Sequence, residues 1–224
     1  MAEEKNVQNL NWEERLTNFE HWVNENKKVL TYVVGGLFAI VAAYLGFMKF
    51  YVTPKSIEAN NQIFMAQEYF GKDSLNLALN GDGNYLGFLQ IMDDYKWTDA
   101  ANLSHYYAGI IYLKQGKFED AIDQLKDFKG KDKMVTAMSL GALGDAYSEL
   151  GKMDEAVDYY KKGAYHFENE LTTPMLLKKA GMLLENLKKP DEAKKMYEEV
   201  KSKYPNTVEG RDMDKYIARV ETNS

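Results

Sequence analysis

Catalysis and metal binding need side chains that can hold a proton, a metal ion or a covalent bond, and this chain offers few. In 224 residues there is no cysteine, and the histidines are His21, His105 and His166. Without thiols there is no disulfide framework, no thiolate-held metal and no lipid-anchored cysteine, although this does not choose a compartment. His105 falls inside an amphipathic helical block, where a packing role is expected. His166 falls near a helix end and reads as a cap or a solvated side chain. The segment GDGNYLG at 81–87 lacks G-x-G-x-x-G spacing and follows no strand, so it reads as a turn rather than a phosphate loop. The acids near it lack the twelfth-position glutamate of an EF-hand, which leaves calcium unsupported. Asn102, Leu103 and Ser104 form a glycosylation sequon, but one that opens a helix and reads as fortuitous. Lysines in 126–133, 161–162, 178–179 and 194–195 are interleaved with acids and read as solvated helix faces. Formal net charge is −6, pI is about 5.3, and the arginines are Arg15, Arg211 and Arg219 alone. That balance argues against nucleic acid, whose phosphates attract basic surfaces. The expectation is a protein that is not an enzyme and takes no cofactor or metal.

The elements that would position these residues are helical. Two blocks superpose at an offset of 35 residues: Gly109, Tyr112, Gly116, Phe118 and Ala121, then Gly144, Tyr147, Gly151, Met153 and Ala156. A third, degenerate copy at an offset of 37 carries Gly181, Leu184, Lys188, Pro190 and Ala193, and continues through Tyr197 to Pro205. G-x2-Y-x3-G-x-[FM]-x2-A, found twice, resembles the tetratricopeptide-repeat (TPR) signature, whose period is about 34 residues. Small residues at 109, 121, 144 and 156 would let paired helices approach. Gly116 and Gly151 suit left-handed helix caps. Asp120, Asp154 and Glu155 open second helices favourably against the helix dipole. Pro174 fits a first turn capped by Thr173. Ahead of the repeats, 56–70 and 84–95 read as a diverged hairpin with a short helical stretch and a turn between them. At the far end Met213, Tyr216, Ile217 and Val220 make one apolar stripe, as a solenoid's terminal helix requires.

Residues 29–48 form a run of twenty without a charge, long enough to span a bilayer's hydrocarbon core. Lys27 and Lys28 bound it on one side and Lys49 on the other. Tyr32, Tyr44 and Tyr51 lie toward its ends, and Pro54 is expected to stop the helix soon after its exit. A cleaved signal peptide fits poorly, because a polar stretch of 28 residues precedes the run and no A-x-A-like site follows. Arg15, Lys27 and Lys28 before it, against Lys49 and Lys55 after it, favour a cytoplasmic N-terminus, which places His21 across the membrane from the repeats. Gly35, Ala39 and Ala43 form a ridge of small residues suited to helix packing, with Ala42 and Gly46 as a shorter pair; flexibility or chance accounts for such a ridge equally well. Before the span, Trp12, Leu16, Phe19 and Val23 share a helical face, with Asn11 as cap and Glu14 three residues on. That face fits the bilayer surface or, given the acids Glu13, Glu14, Glu20 and Glu25, a protein partner.

The reading is an all-α chain: an N-terminal segment at 1–28, a transmembrane helix at 29–51, and a TPR domain at 53–224. That domain comprises a diverged hairpin at 55–97, repeats at about 100–132, 135–169 and 173–205, and a capping helix at 207–222. The TPR resemblance implies a concave groove. Its family positions fall on Leu103, Tyr106, Ile110, Leu113 and Lys114, on Met138, Gly141, Asp145, Ser148 and Glu149, and on Met175, Lys178, Met182, Glu185 and Asn186. The apolar members, Leu103, Tyr106, Ile110, Leu113, Met138, Met175 and Met182, suit an extended or helical apolar segment, unless the preceding hairpin itself buries that face. Tyr107 and Ala142 stand where the family's carboxylate clamp needs polar or basic side chains. The layout as a whole, with HYYAGIIYLKQGKFEDAI, GDAYSELG and LKKAG, resembles the YfgM-like ancillary subunits of the SecYEG translocon, in the form found in Bacteroidota. That resemblance implies a bacterial inner-membrane protein with periplasmic repeats that associates with SecYEG and a PpiD-like chaperone and assists newly exported polypeptides. The alternative is a cytosol-facing TPR receptor or assembly scaffold on a membrane.

Overall fold

The computed structural model describes the backbone of residues 2–222 and, apart from residues 2–11 and 13, their side chains. The chain divides into two compact units, 1–54 and 55–224.

The first unit contains α1 (Ala2–Glu25), α2 (Lys27–Phe47) and a π-helical turn, Met48–Val52. No glycine or proline interrupts residues 2–25, so α1 begins well before the expected cap at Asn11. Position 11 thus lies inside the helix; the side chains of Asn11 and Glu13 lie outside the described residues. Trp12, Leu16, Phe19 and Trp22 are all exposed along α1. No residue of α2 is buried, and Tyr32, Phe38 and Ile40 are exposed although the helix carries no charge beyond Lys28. It begins the one helix among the described residues long and apolar enough to cross a membrane, with a mean hydropathy of 2.0 over its most apolar window.

Pro54 does not stop the chain's helical course, contrary to expectation. The π turn relieves the clash that a proline ring makes with the carbonyl four residues before it in an α-helix. The Thr53 N–H reaches back to the Met48 carbonyl, and its hydroxyl donates to the same oxygen at 2.9 Å. Pro54, which has no N–H to satisfy, then falls in the first turn of α3 (Thr53–Gly71).

In the second unit α4 (Leu75–Asn80) and α5 (Phe88–Asp94) precede three hairpins and a last helix. The hairpins are α6 (Asp99–Lys114) with α7 (Phe118–Asp127), α8 (Lys133–Glu149) with α9 (Met153–His166), and α10 (Thr172–Asn186) with α11 (Pro190–Lys203); α12 (Val208–Thr222) packs on α11 and α10. The larger core cluster holds Leu125, Tyr160, Leu176, Leu177, Tyr197 and Met213, and the smaller one Ile63, Phe88, Ile91 and Ile111. Tyr112 touches both. Close approach is enforced by small residues: a Cβ on Gly144 would lie 2.5 Å from the Tyr160 ring, and one on Gly181 2.4 Å from Tyr197.

Capping departs from the sequence reading at α10. Thr173 is not its cap: the helix begins one residue earlier, and the Thr173 hydroxyl is spent on the Ala164 carbonyl at 3.0 Å. Asn169 does the capping, its Oδ1 accepting from the N–H groups of Leu171 and Thr172 at 2.8 Å each. Residues 84–87 also differ. They belong to a turn rather than to α5, with Gly81 bridged to Leu86 and Asp82 Oδ1 accepting from the Asn84 and Tyr85 N–H groups.

Candidate functional site: the inner helices of the repeats

Each first helix ends on the same backbone device. Gly116 and Gly151 take left-handed φ values of 74° and 73°, and Lys188 takes 56° at the same place. The following N–H in each case reaches back five residues, to Tyr112, Tyr147 and Leu184 at 2.9 Å. Asp73, with φ 57°, repeats the device at the end of α3, its successor Ser74 donating to Tyr69 at 2.9 Å. Ala66, Tyr69, Asp73, Leu75 and Ala78 therefore carry the repeat spacing, and Ala66 and Ala78 share the smaller core. No glycine marks this copy in the sequence, because Ala66 and Asp73 stand at the two glycine positions. The segment 84–95, expected to partner 56–70, supplies α5 and its C-terminal Tyr95, whose ring lies 4.9 Å from Lys55 Nζ and shares the smaller core with Ala59 and Ile63. A further short helix, α4, begins directly after the cap.

The caps fix the rotation of the first helices, and with it what those helices present. Leu103 lies half-buried against the smaller core; Tyr106, Ile110, Leu113 and Met175 lie half-buried against the larger. Met138 and Met182 are each 43% exposed. Gly141 is buried under Leu176. The structure brings Leu113, Lys114, Asp145, Ser148 and Glu149 together with Gly116, Phe118 and Tyr160 around a groove of about 440 Å³. Leu113 is the one member of the apolar set that lines it. Gly35, Ala39 and Ala43 are exposed in the first unit.

Polar contacts join successive repeats along these helices. Gln67 donates to the Tyr107 hydroxyl at 3.4 Å, and Tyr107 stacks on Phe88 at 4.9 Å. Asp145 Oδ1 accepts from the Tyr160 hydroxyl at 2.5 Å and from Lys179 Nζ at 2.6 Å. Burial, and then that bond, push the Tyr160 hydroxyl well above its ordinary pKa, so it is a fixed donor and not a base. Lys179 occupies the position held by Tyr107 and Ala142 in the earlier repeats, and its cation is already spent on Asp145. Farther along, Glu185 accepts from Arg219 in a fork, at 2.8 and 2.6 Å, and from the Tyr197 hydroxyl. Burial alone would raise the Glu185 pKa; the Arg219 and Tyr197 bonds outweigh it and hold the carboxyl below its ordinary value.

Little here can do covalent chemistry. His105 Nδ1 lies 2.9 Å from Gln124 Oε1, an amide and not a carboxylate, and His166 is exposed at the end of α9. His21 lies 3.4 Å from Glu25 on the exposed surface of α1. Among the described residues no group of three histidine or acidic side chains could hold a metal ion. The Asn102 sequon is structural: its side-chain amide donates to the Lys129 carbonyl at 2.9 Å and accepts from the Lys129 N–H at 2.8 Å.

Profiles of the tetratricopeptide-repeat family match residues 104–132, 139–166 and 176–207. The chain contains tetratricopeptide repeats. The three matched stretches are the hairpins α6–α7, α8–α9 and α10–α11, and TPR chains generally serve as non-catalytic scaffolds for protein partners. The α3–α4 segment lies outside the matches. No curated protein matches the chain.

Proposed function

We propose that this protein is a non-catalytic, membrane-anchored TPR scaffold, and specifically an ancillary subunit of the Sec translocon. In this reading the N-terminus is cytoplasmic and the repeats face the periplasm of a bacterium. There they assist newly exported polypeptides alongside a PpiD-like chaperone. The observation that carries the reading is the combination of one chargeless span with repeats whose inner helices line a groove: a chain tethered beside a membrane pore presents a binding surface to whatever emerges. The resemblance in layout and in the repeat phrases supports the choice of translocon over other membrane assemblies. The proposed partner surface comprises the exposed Met138 and Met182 with the half-buried Leu103, Tyr106, Ile110, Leu113 and Met175, and the proposed packing ridge of the span is Gly35, Ala39 and Ala43. Methionine suits clients of varied sequence because its thioether side chain is unbranched and polarisable.

Photocrosslinking in native membranes tests this, with a photoreactive residue at Ala39 or at Met138. Met138 is preferred to Tyr106 because it is exposed, whereas Tyr106 packs against Tyr107 and Phe128. The expected products are translocon subunits from Ala39, and exported chains or the chaperone from Met138. Cytosolic proteins alone from Met138 would overturn the assignment in favour of a cytosol-facing scaffold.

A further inference from the structure

The groove between the ends of α6 and α8 has an uneven charge balance. Its walls are apolar at Leu113, Phe118 and the Tyr160 ring, and its polar groups are Lys114, Asp145, Ser148 and Glu149. Two cations that reach this end of the groove are engaged: Lys114 pairs with Asp73 at 2.9 Å and Lys179 with Asp145 at 2.6 Å. Both donors to Asp145 reach the same oxygen, Oδ1, so Oδ2 receives no hydrogen bond among the described residues. Glu149, one turn further along α8, is exposed and has neither ion pair nor hydrogen bond among them. The charged groups that line the groove are thus two carboxylates, Asp145 and Glu149, and one ammonium, Lys114, which is paired with Asp73.

We infer that this end of the groove selects a polypeptide segment carrying a lysine or arginine next to an apolar residue. The inference rests on the reading above that the inner helices of the repeats hold the partner, Leu113 being common to that surface and this groove. A basic side chain can lay its aliphatic stem along Leu113 and Phe118 and bring its charge between Asp145 Oδ2 and Glu149. An acidic side chain would meet both carboxylates, with Lys114 and Lys179 already paired. The polarity is therefore opposite to that of a site built to hold a carboxylate.

The test is fluorescence anisotropy on the full-length protein in detergent micelles. The probes are three labelled leucine-containing peptides that differ only in a central lysine, alanine or glutamate. The lysine peptide is expected to bind about three- to tenfold more tightly than the glutamate peptide, with a gap that narrows as salt is added. Glu149→Gln is expected to shrink the gap and Glu149→Lys to reverse it; Glu149 is exposed and belongs to neither core cluster, so both variants should fold. Equal, measurable binding of all three peptides would overturn basic selection and leave the groove as a partner site. No binding of any of them would overturn the groove reading and this inference together.

Discussion

Four residues hold the left-handed conformation that ends a first helix, and two of them, Lys188 and Asp73, are not glycine. A side chain in that region costs roughly 1–2 kcal/mol. Lys188→Gly removes that cost but adds chain entropy to the unfolded state, so a net gain of about 0.5–1 kcal/mol is expected. Thermal melts of the detergent-solubilised chain should rise by about 2 °C. Gly151→Ala should shift the melt by a similar amount the other way. Glu185 adds a pH signature. Because its folded pKa is depressed, its contribution is fully present above the ordinary value of 4.5 and is lost as pH falls through the lower folded value. Glu185→Gln should therefore destabilise by about 1–3 kcal/mol at neutral pH, and its melting temperature should converge on the parent's in acid. A deficit that persisted unchanged in acid would show that Glu185 acts through packing and not through its charge. These residue-scale features were legible in the sequence at Gly116 and Gly151, which are glycines, and not at Asp73. Lys188 could be placed by spacing alone, and the fork from Arg219 to Glu185 joins residues 34 apart that no motif links.

Helices pair here where a glycine lets a large side chain reach the opposite backbone, so filling that space has a cost in each repeat. A methyl group on Gly144 meets the Tyr160 ring at 2.5 Å, and that ring is held in place by its bond to Asp145. On Gly109 it would meet Cγ of the buried Leu125 at 2.5 Å, with the Ala121 carbonyl at 3.3 Å. Both substitutions should destabilise, each by about 1–3 kcal/mol, as read from chemical denaturation. The repeat spacing made these hairpins readable because glycine, tyrosine and alanine recur with fixed separations. The α3–α4 segment was not readable in the same way. Its spacing is kept, but Ala66 and Asp73 stand at the glycine positions, and the turn at 81–87 separates α5 from α4. Pro54 misled for a local reason. A single π turn, which has no sequence signature, converts a helix stop into a helix start.

For the molecule as a whole, the first unit exposes a helix with no charge after Lys28, and the second holds two buried apolar clusters that Tyr112 touches together. The one is long and apolar enough to cross a membrane, and the repeats of the other imply protein partners. The sequence shows both, because a run of twenty uncharged residues and three repeats are patterns along the chain. The groove is different: Leu113 and Phe118 come to face Asp145 and Glu149 only through packing between repeats. The absence of cysteine makes the central claim, an anchored scaffold with its repeats outside the cytoplasm, directly measurable. Single cysteines would replace Glu155, exposed on α9, and Glu14, exposed on α1, and be challenged with a membrane-impermeant maleimide in spheroplasts. The account predicts that Glu155→Cys is modified in intact spheroplasts and Glu14→Cys only after lysis. Modification of Glu14→Cys before lysis, with Glu155→Cys protected, would contradict it and place the repeats in the cytosol.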